Sequence, residues 1–433
     1  VGASIQRHPD FLVSDGSPRG LTPSVSRHNH PRSSPTVRDW EASPKSAQTS
    51  RLGEGSSEIT FTETIKPLID RKCLSCHVKG GPAPFPLQTY AQVKKRADLC
   101  QRMMLTRMMP PCNAMWEGGE FCVGGGPLTD HEAVLLQQWM QAGAPEGPVS
   151  QPAPSPNAGQ WALGKPDAVL QPLGHYEIPE EGRPYWRAFV IPIKGLAGRR
   201  IRAFEMHVDQ PEALRSAVLA VARPGLDGTR RAKEGFLTGG SLDFDSKKLI
   251  GTWAAGYPAW ELPKGVAMTL DGEALVVQCL ILPRGKAESG DFQIALYFSK
   301  NPRDLEPEWL QMGQEDFAVP APGNLTLNPV AKLPKGSRLL AVIPEARFFC
   351  TSIRLWANDR LMFATRRWEP YWQGVYRYPE AVGFPDGAEL KAEFQYDNDI
   401  HMGRNEGRRP RPILPGYRER DELCRMHVLY VGG

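Results

Sequence analysis

No run in the 433 residues approaches the roughly 18 consecutive apolar residues of a membrane-spanning helix, so no transmembrane segment is expected. Charge of one sign is missing too. Lys and Arg number 52 against 48 Asp and Glu, a net +4 spread along the chain. No basic face interleaves with stacking aromatics, which argues against a nucleic-acid partner. Histidine is scarce: of nine, three (His8, His28, His30) lie in an N-terminal stretch without apolar periodicity. His28 and His30 have a metal-binding spacing but lack a third ligand, so they read as tail residues. No signal peptide is visible before Val1, as expected where a signal has been removed.

Residues 1–57, rich in Ser, Pro, Arg, Gly and Thr, bury too little to offset the entropy of ordering and read as a disordered or extended tail. Residues 58–147 carry helical periodicity. A first helix is expected from about Thr62 to Cys73, with Phe61, Ile65, Leu68 and Ile69 on one face. Capping boxes at Thr89/Gln92 and Thr129/Glu132 start two more. Five prolines between 143 and 160 mark a stiff linker, centred on 148–160. Beyond it the period becomes two. Alternating or apolar runs occur at Arg187–Ile193, Arg199–Val208, Ala217–Ala222, Glu273–Leu282, Phe292–Ser299, Arg338–Val342, Thr351–Trp356, Glu389–Tyr396 and Leu423–Val431. Turn signals separate them, and two β-sandwich subdomains are expected, 161–310 and 311–433.

The most specific signal is Cys73-Leu74-Ser75-Cys76-His77, the Cys-x-x-Cys-His attachment signature of c-type haem. Two thiols about one turn apart can add to the two vinyl groups of a porphyrin, and the adjacent imidazole becomes the proximal iron ligand. A zinc half-site would need a second Cys/His pair, and a thioredoxin-like pair would need a βαβ frame; the sequence offers neither. The run Met108-Met109-Pro110-Pro111 supplies a sixth ligand. Met109, which abuts the prolines, is the first choice and Met108 the alternative. One covalent haem c is therefore expected, held by Cys73, Cys76, His77 and Met109, with both axial positions filled as suits electron transfer. Between the ligands, Phe85 and Leu87 in a Gly/Pro-rich loop are expected to cover the porphyrin edge. Haem attachment of this kind implies an extracytoplasmic, periplasm-like location, where disulfides can form. Of the eight cysteines, Cys112 and Cys122 are the expected pair; Cys100 reads as a core residue, and pairing among Cys279, Cys350 and Cys424 stays open.

From Ile59 to Gly147 the chain resembles bacterial cytochrome c domains, through the haem motif, the Arg107-Met108-Met109-Pro110-Pro111 loop and the closing Leu128-Thr129-Asp130 helix start. The remainder is similar to the copper type II, ascorbate-dependent monooxygenases, whose best-known member hydroxylates peptidylglycine. The similarity is carried by Phe189-Val190-Ile191-Pro192, Tyr371–Tyr378 and Phe394–Asn398. The resemblance implies a small all-α cytochrome c domain followed by an all-β region of two jelly-roll-like sandwiches. Its copper ligands do not carry over. Arg215-Ser216 stands in place of a His-His pair, and Leu280-Ile281-Leu282 in place of His-x-His. Pro344-Glu345-Ala346-Arg347 replaces Pro-His-x-His, and Leu423 replaces the methionine before Cys424. His175, His207, His401 and His427 are isolated from one another in sequence, so no copper is expected.

The resulting expectation is a monohaem electron carrier with a copper-free, monooxygenase-like β-region. That region would dock a redox partner or hold the chain in a larger complex. Two alternatives stay open: a copper- and haem-dependent monooxygenase, and a structural or ligand-binding subunit with the haem as redox sensor or anchor.

Overall fold

The computed structural model describes residues 59–106, 108–121, 128–148, 161–222, 236–237, 248–365, 367–370, 372–400, 405, 409–416 and 420–432. The tail with His28 and His30, most of the linker and Cys122 lie outside the described residues. Glu58–Gly433 form one compact unit.

Among the described residues the α-helices are α1 (Lys66–Lys72), α2 (Tyr90–Lys94), α3 (Ala97–Leu105) and α4 (Asp130–Gln141), with a short hairpin between α3 and α4. A π-helical turn, Phe61–Ile65, runs into α1. The sequence fixes two of the starts by chemistry. Thr89 accepts from the Gln92 amide and Gln92 reaches back, and Thr129 and Glu132 do the same for α4, so each start has two of its free N–H groups bonded. The helices share a core of Phe61, Ile65, Ile69, Leu87, Val93, Leu136 and Trp139. The Arg71 and Lys72 side chains reach Glu132 at 2.6 and 3.3 Å and tie α1 to α4.

Strands dominate the rest. Those needed below are β1 (Ala114–Trp116), β2 (Gly119–Glu120), β3 (Tyr185–Pro192), β4 (Arg200–Val208), β5 (Leu214–Val221), β6 (Leu249–Ala254), β7 (Ala274–Ile281), β8 (Phe292–Phe298), β9 (Glu308–Gly313), β10 (Ser337–Glu345), β11 (Cys350–Ala357), β12 (Arg360–Thr365), β13 (Tyr376–Phe384), β14 (Ala388–Asp397) and β15 (Arg425–Val431). All pairings between them are antiparallel. One five-stranded sheet has the order β3-β7-β5-β6, with Phe236–Leu237 at its edge, and it shares a core with a second sheet centred on β4-β8. The Phe189 and Phe292 rings meet edge-on at 5.1 Å in that core. A four-stranded sheet, β9-β15-β10-β13, shares another core with a seven-stranded sheet running through β14-β11-β12-β1-β2.

This arrangement corrects the expected succession of an all-α cytochrome domain and two jelly-roll-like sandwiches. The first segment is not all-α. Its hairpin β1-β2 leaves the helices and completes the seven-stranded sheet, Ala114 and Met115 pairing with Thr365 and Ala364 of β12. The Glu117 amide donates to the Leu361 carbonyl at 2.9 Å, and the Glu117 carboxylate takes Arg360 at 2.6 Å. Trp116 and Phe121 pack on Tyr378 at 5.1 Å, burying aromatic surface from both parts of the chain in one core. The sheets hold seven, five, five, four and two strands, not the matched four-stranded pairs of two jelly rolls. The physical cause is strand pairing: Ala114–Trp116 covers the edge of β12 that β11 leaves unpaired, satisfying its backbone groups.

Candidate functional site

The Cys-x-x-Cys-His segment begins where α1 ends. The amides of Cys76 and His77 both donate to the Cys73 carbonyl, at 3.2 and 2.9 Å, which winds the motif into a tight turn. The chain then reverses through Gly80 (φ 73°), a left-handed position that suits glycine. A Cβ on Gly81 would stand 2.5 Å from the Cys76 carbonyl oxygen, so this turn closes only with glycine there. The Leu87 amide donates to the His77 carbonyl at 2.8 Å and locks the loop back onto the motif.

His77 Nδ1 lies 2.8 Å from the Phe85 carbonyl oxygen. A carbonyl only accepts, so Nδ1 carries the proton and Nε2 keeps its lone pair. Burial holds the imidazole below its ordinary value, which favours the neutral ligand form. Both thiols are half-buried and unbonded. Burial, helped by neighbouring Cys100, pushes Cys73 up to about 12. Burial also raises Cys76, against the opposing hydrogen bond from Ser75 and the charge of Arg215. Among the described residues, no cluster of three or more His, Cys, Asp or Glu side chains could hold a metal ion.

Cys73, Cys76 and His77 open onto a cleft of about 240 Å³. Its near wall combines Phe85 and Leu87 of the loop after the motif with Leu99, Cys100, Met103 and Met104 of α3. Met109, with Pro110 and Pro111, closes one side; Met108 does not line the cleft, while Met103 does. Sequence reasoning missed Met103, which reads as an ordinary helix residue. The far wall belongs to the β-body: Arg215 of β5, the turn Ala255-Gly256-Tyr257 after β6, and Trp372. Gly256 sits at φ 89° against Cys76, and a Cβ there would overlap the Cys76 sulfur. These residues fit a c-type haem. A porphyrin bonded through both sulfurs would meet the His77 imidazole, the Met109 thioether and apolar walls, with the backbone at Gly256 kept slim beside Cys76.

A second cavity, of about 50 Å³, lies on the other side of β5. Successive residues of a strand face opposite ways, so Arg215 looks into the first space and Ser216 into the second. Ser216, Leu280, Glu345, Arg347 and Leu423, from all four substituted ligand groups, line this one cavity. His427 Nε2 lies 3.2 Å from the Glu345 carboxylate, both residues buried. His175 is 3.5 Å from Asp291, and His207 stacks on Trp161 at 3.7 Å. His401 lies outside the described residues. Cys112 is disulfide-bonded; its expected partner Cys122 lies outside the described residues. Cys100, Cys279, Cys350 and Cys424 are free thiols.

No family model and no curated protein matches the chain. Solved structures that align with it include viral capsid proteins. The major capsid protein P2 of bacteriophage PM2 aligns at 9% identity and TM-score 0.27, over 61% of this chain and 97% of that one. The PBCV-1 VP54 protein, fitted into a reconstruction of the virophage Sputnik, aligns at 10% and 0.22, over 61% and 92%. The VP2 subviral particle of infectious bursal disease virus aligns at 10% and 0.18, over 66% and 74%. At such scores the likeness carries no argument about fold or function.

Proposed function

We propose that this protein is a monohaem c-type electron carrier acting outside the cytoplasm. Cys73 and Cys76 would hold the porphyrin, His77 the proximal side of the iron and Met109 the distal side. The observation that carries the reading is the His77 ring, fixed by the Phe85 carbonyl with Nε2 unprotonated beside two unbonded thiols. When bound, a haem with both axial positions filled supplies one-electron transfer without a site for substrate at the iron. The chain's own residues orient the imidazole, exclude water through Phe85 and Leu87, and set the loop that presents Met109. The β-body then serves as the module that meets a redox partner protein or a larger complex. Among the described residues no helix is long and apolar enough to cross a membrane.

The resemblance to copper monooxygenases gains support from one arrangement: the substituted ligand positions converge on a single cavity. Leu280 and Leu423 there cannot bind copper, Arg347 brings positive charge, and Glu345 is engaged with His427, so the cavity is read as an emptied copper site. The deciding experiment is iron and copper per chain, on protein made in a host with haem-attachment machinery and then offered copper. One iron and no copper supports the carrier. Tightly held copper overturns it in favour of a monooxygenase, and protein without covalent haem overturns it outright.

A further inference from the structure

A groove of about 400 Å³, within the size range of small-molecule sites, shares no residue with the cleft that Cys73, Cys76 and His77 line. One wall is the short strand Trp260–Glu261, which pairs with β4, and the Leu262-Pro263 turn after it. The other wall is the sheet β9-β15-β10-β13. There Leu429, Ala341 and Arg377 stand in one row, Ala341 pairing with Leu429 on one side and with Arg377 on the other. The pairing of β10 shifts register between Leu339 and Ala341. Strict alternation would send Leu340 and Ala341 to opposite faces. At this bulge both join the core beneath the first sheets, while Leu339 and Val342 join the other core. The small Ala341 side chain between Leu429 and Arg377 leaves the room.

Polar side chains on this lining are few, and all but one are engaged elsewhere. The Tyr378 hydroxyl donates to the Met362 carbonyl at 2.8 Å. The Trp260 ring stacks on Phe204 at 5.3 Å, and its indole nitrogen is buried against Gly251, away from the groove. The Glu261 carboxylate lies 3.9 Å from Arg202 at the exposed rim. Arg377 remains. Its guanidinium donates to the Glu261 carbonyl at 2.9 Å and, among the described residues, forms no ion pair, so most of its five N–H donors stay open. Burial works against its charge, which Glu261 only partly offsets. A bound anion would relieve that cost. We propose that the groove binds a small monocarboxylate, with its apolar body against Leu262, Leu340 and Leu429 and its carboxylate on the Arg377 guanidinium. The planar fork of a guanidinium matches the two oxygens of a carboxylate, and one cation on an apolar lining selects a single anionic head. None of these residues takes part in the haem reading, and the inference does not depend on it.

The test titrates hexanoate into the full chain by isothermal calorimetry, beside hexanol, acetate and hexylammonium. Hexanoate is expected to bind saturably. Hexanol has the body without the charge and acetate the head without the body, so each should bind at least about tenfold more weakly, as loss of a charge-assisted hydrogen bond implies. Hexylammonium, with the charge reversed, should not bind. Arg377→Met keeps an unbranched side chain and removes the charge; it should weaken hexanoate about tenfold and leave hexanol unchanged. Arg377→Lys should recover part of that loss. Urea unfolding establishes that the variants are folded. If Arg377→Met is not, the comparison of the four ligands on the wild type decides alone. No saturable binding of hexanoate, or equal affinity for hexanoate, hexanol and hexylammonium, overturns the inference. Hexanoate binding that Arg377→Met leaves unchanged in folded protein overturns it as well.

Discussion

The contact between Gly256 and Cys76 can be tested by adding one carbon. Gly256→Ala meets two costs. At φ 89° an L-residue is in a left-handed conformation, which costs about 1–2 kcal/mol. The new Cβ would also overlap the Cys76 sulfur and stand 3.2 Å from the Ser75 carbonyl oxygen. The sulfur belongs to a short side chain and the oxygen to the backbone, so neither gives way cheaply. Overpacking of that kind costs about 1–3 kcal/mol. The total, about 2–5 kcal/mol, is a large share of the 5–15 kcal/mol that holds an ordinary domain folded. Gly265 supplies the control. Its φ is 83°, nearly the same, and nothing lies within 4 Å of where its Cβ would go. Gly265→Ala therefore carries only the backbone cost. Urea unfolding followed by fluorescence of the eleven tryptophans gives both values. Equal destabilisation by the two substitutions would show that the turn after β6 does not press on the haem motif, and the account of the cleft's far wall would fail with it.

Burial pushes the Glu422 carboxyl up to about 7, although the amides of Phe349, Cys350 and Leu423 donate to it. A carboxyl raised in the folded state contributes stability that is complete below its unfolded value, near 4.5, and lost as pH rises through 7. From pH 5 to 7.5 the wild type should therefore lose about 2 kcal/mol relative to Glu422→Gln; a gap independent of pH refutes the shift. Met109→Leu should abolish the long-wavelength iron–thioether charge-transfer band of the oxidised protein, and Met108→Leu should leave it. A band that survives Met109→Leu and disappears in Met103→Leu moves the sixth ligand to α3. Thr129→Ala removes the acceptor for the Glu132 amide at the start of α4 and should cost about 1 kcal/mol in urea unfolding; no measurable loss would mean that water replaces the cap.

What was legible in the sequence follows from how local its cause is. Both capping boxes stand where Thr89 and Thr129 place them, because the reciprocal bonds span only three residues. All nine period-two runs are strands: Ala388–Asp397, for instance, alternates buried and exposed side chains along its whole length. The hairpin β1-β2 was not legible. Its residues are too few to show a period, and they pair with β12, some 250 positions away. Strands such as Arg360–Thr365 and Glu308–Gly313 were missed for a related reason, mixed charged and apolar residues with irregular alternation. At the site, the Cys-x-x-Cys-His turn was visible because its residues are contiguous, the Cys76 and His77 amides closing on the Cys73 carbonyl. Arg215, Tyr257 and Trp372 were invisible, since no sequence pattern links one strand, one turn and one loop that meet only in the folded chain.

The hairpin that leaves the helices for the β12 edge also decides how the protein can be cut. A fragment ending near residue 147 would carry Ala114–Glu120 away from its sheet and expose Trp116 and Phe121, which belong to the core around Tyr378. The remainder, starting after the linker, would be left with an open strand edge at β12, ready to pair with another copy. Neither half is a free-standing part. A chain built this way cannot be trimmed to the segment that bears Cys73, Cys76 and His77, and its assembly needs the β-body to fold around a helical segment made well before it.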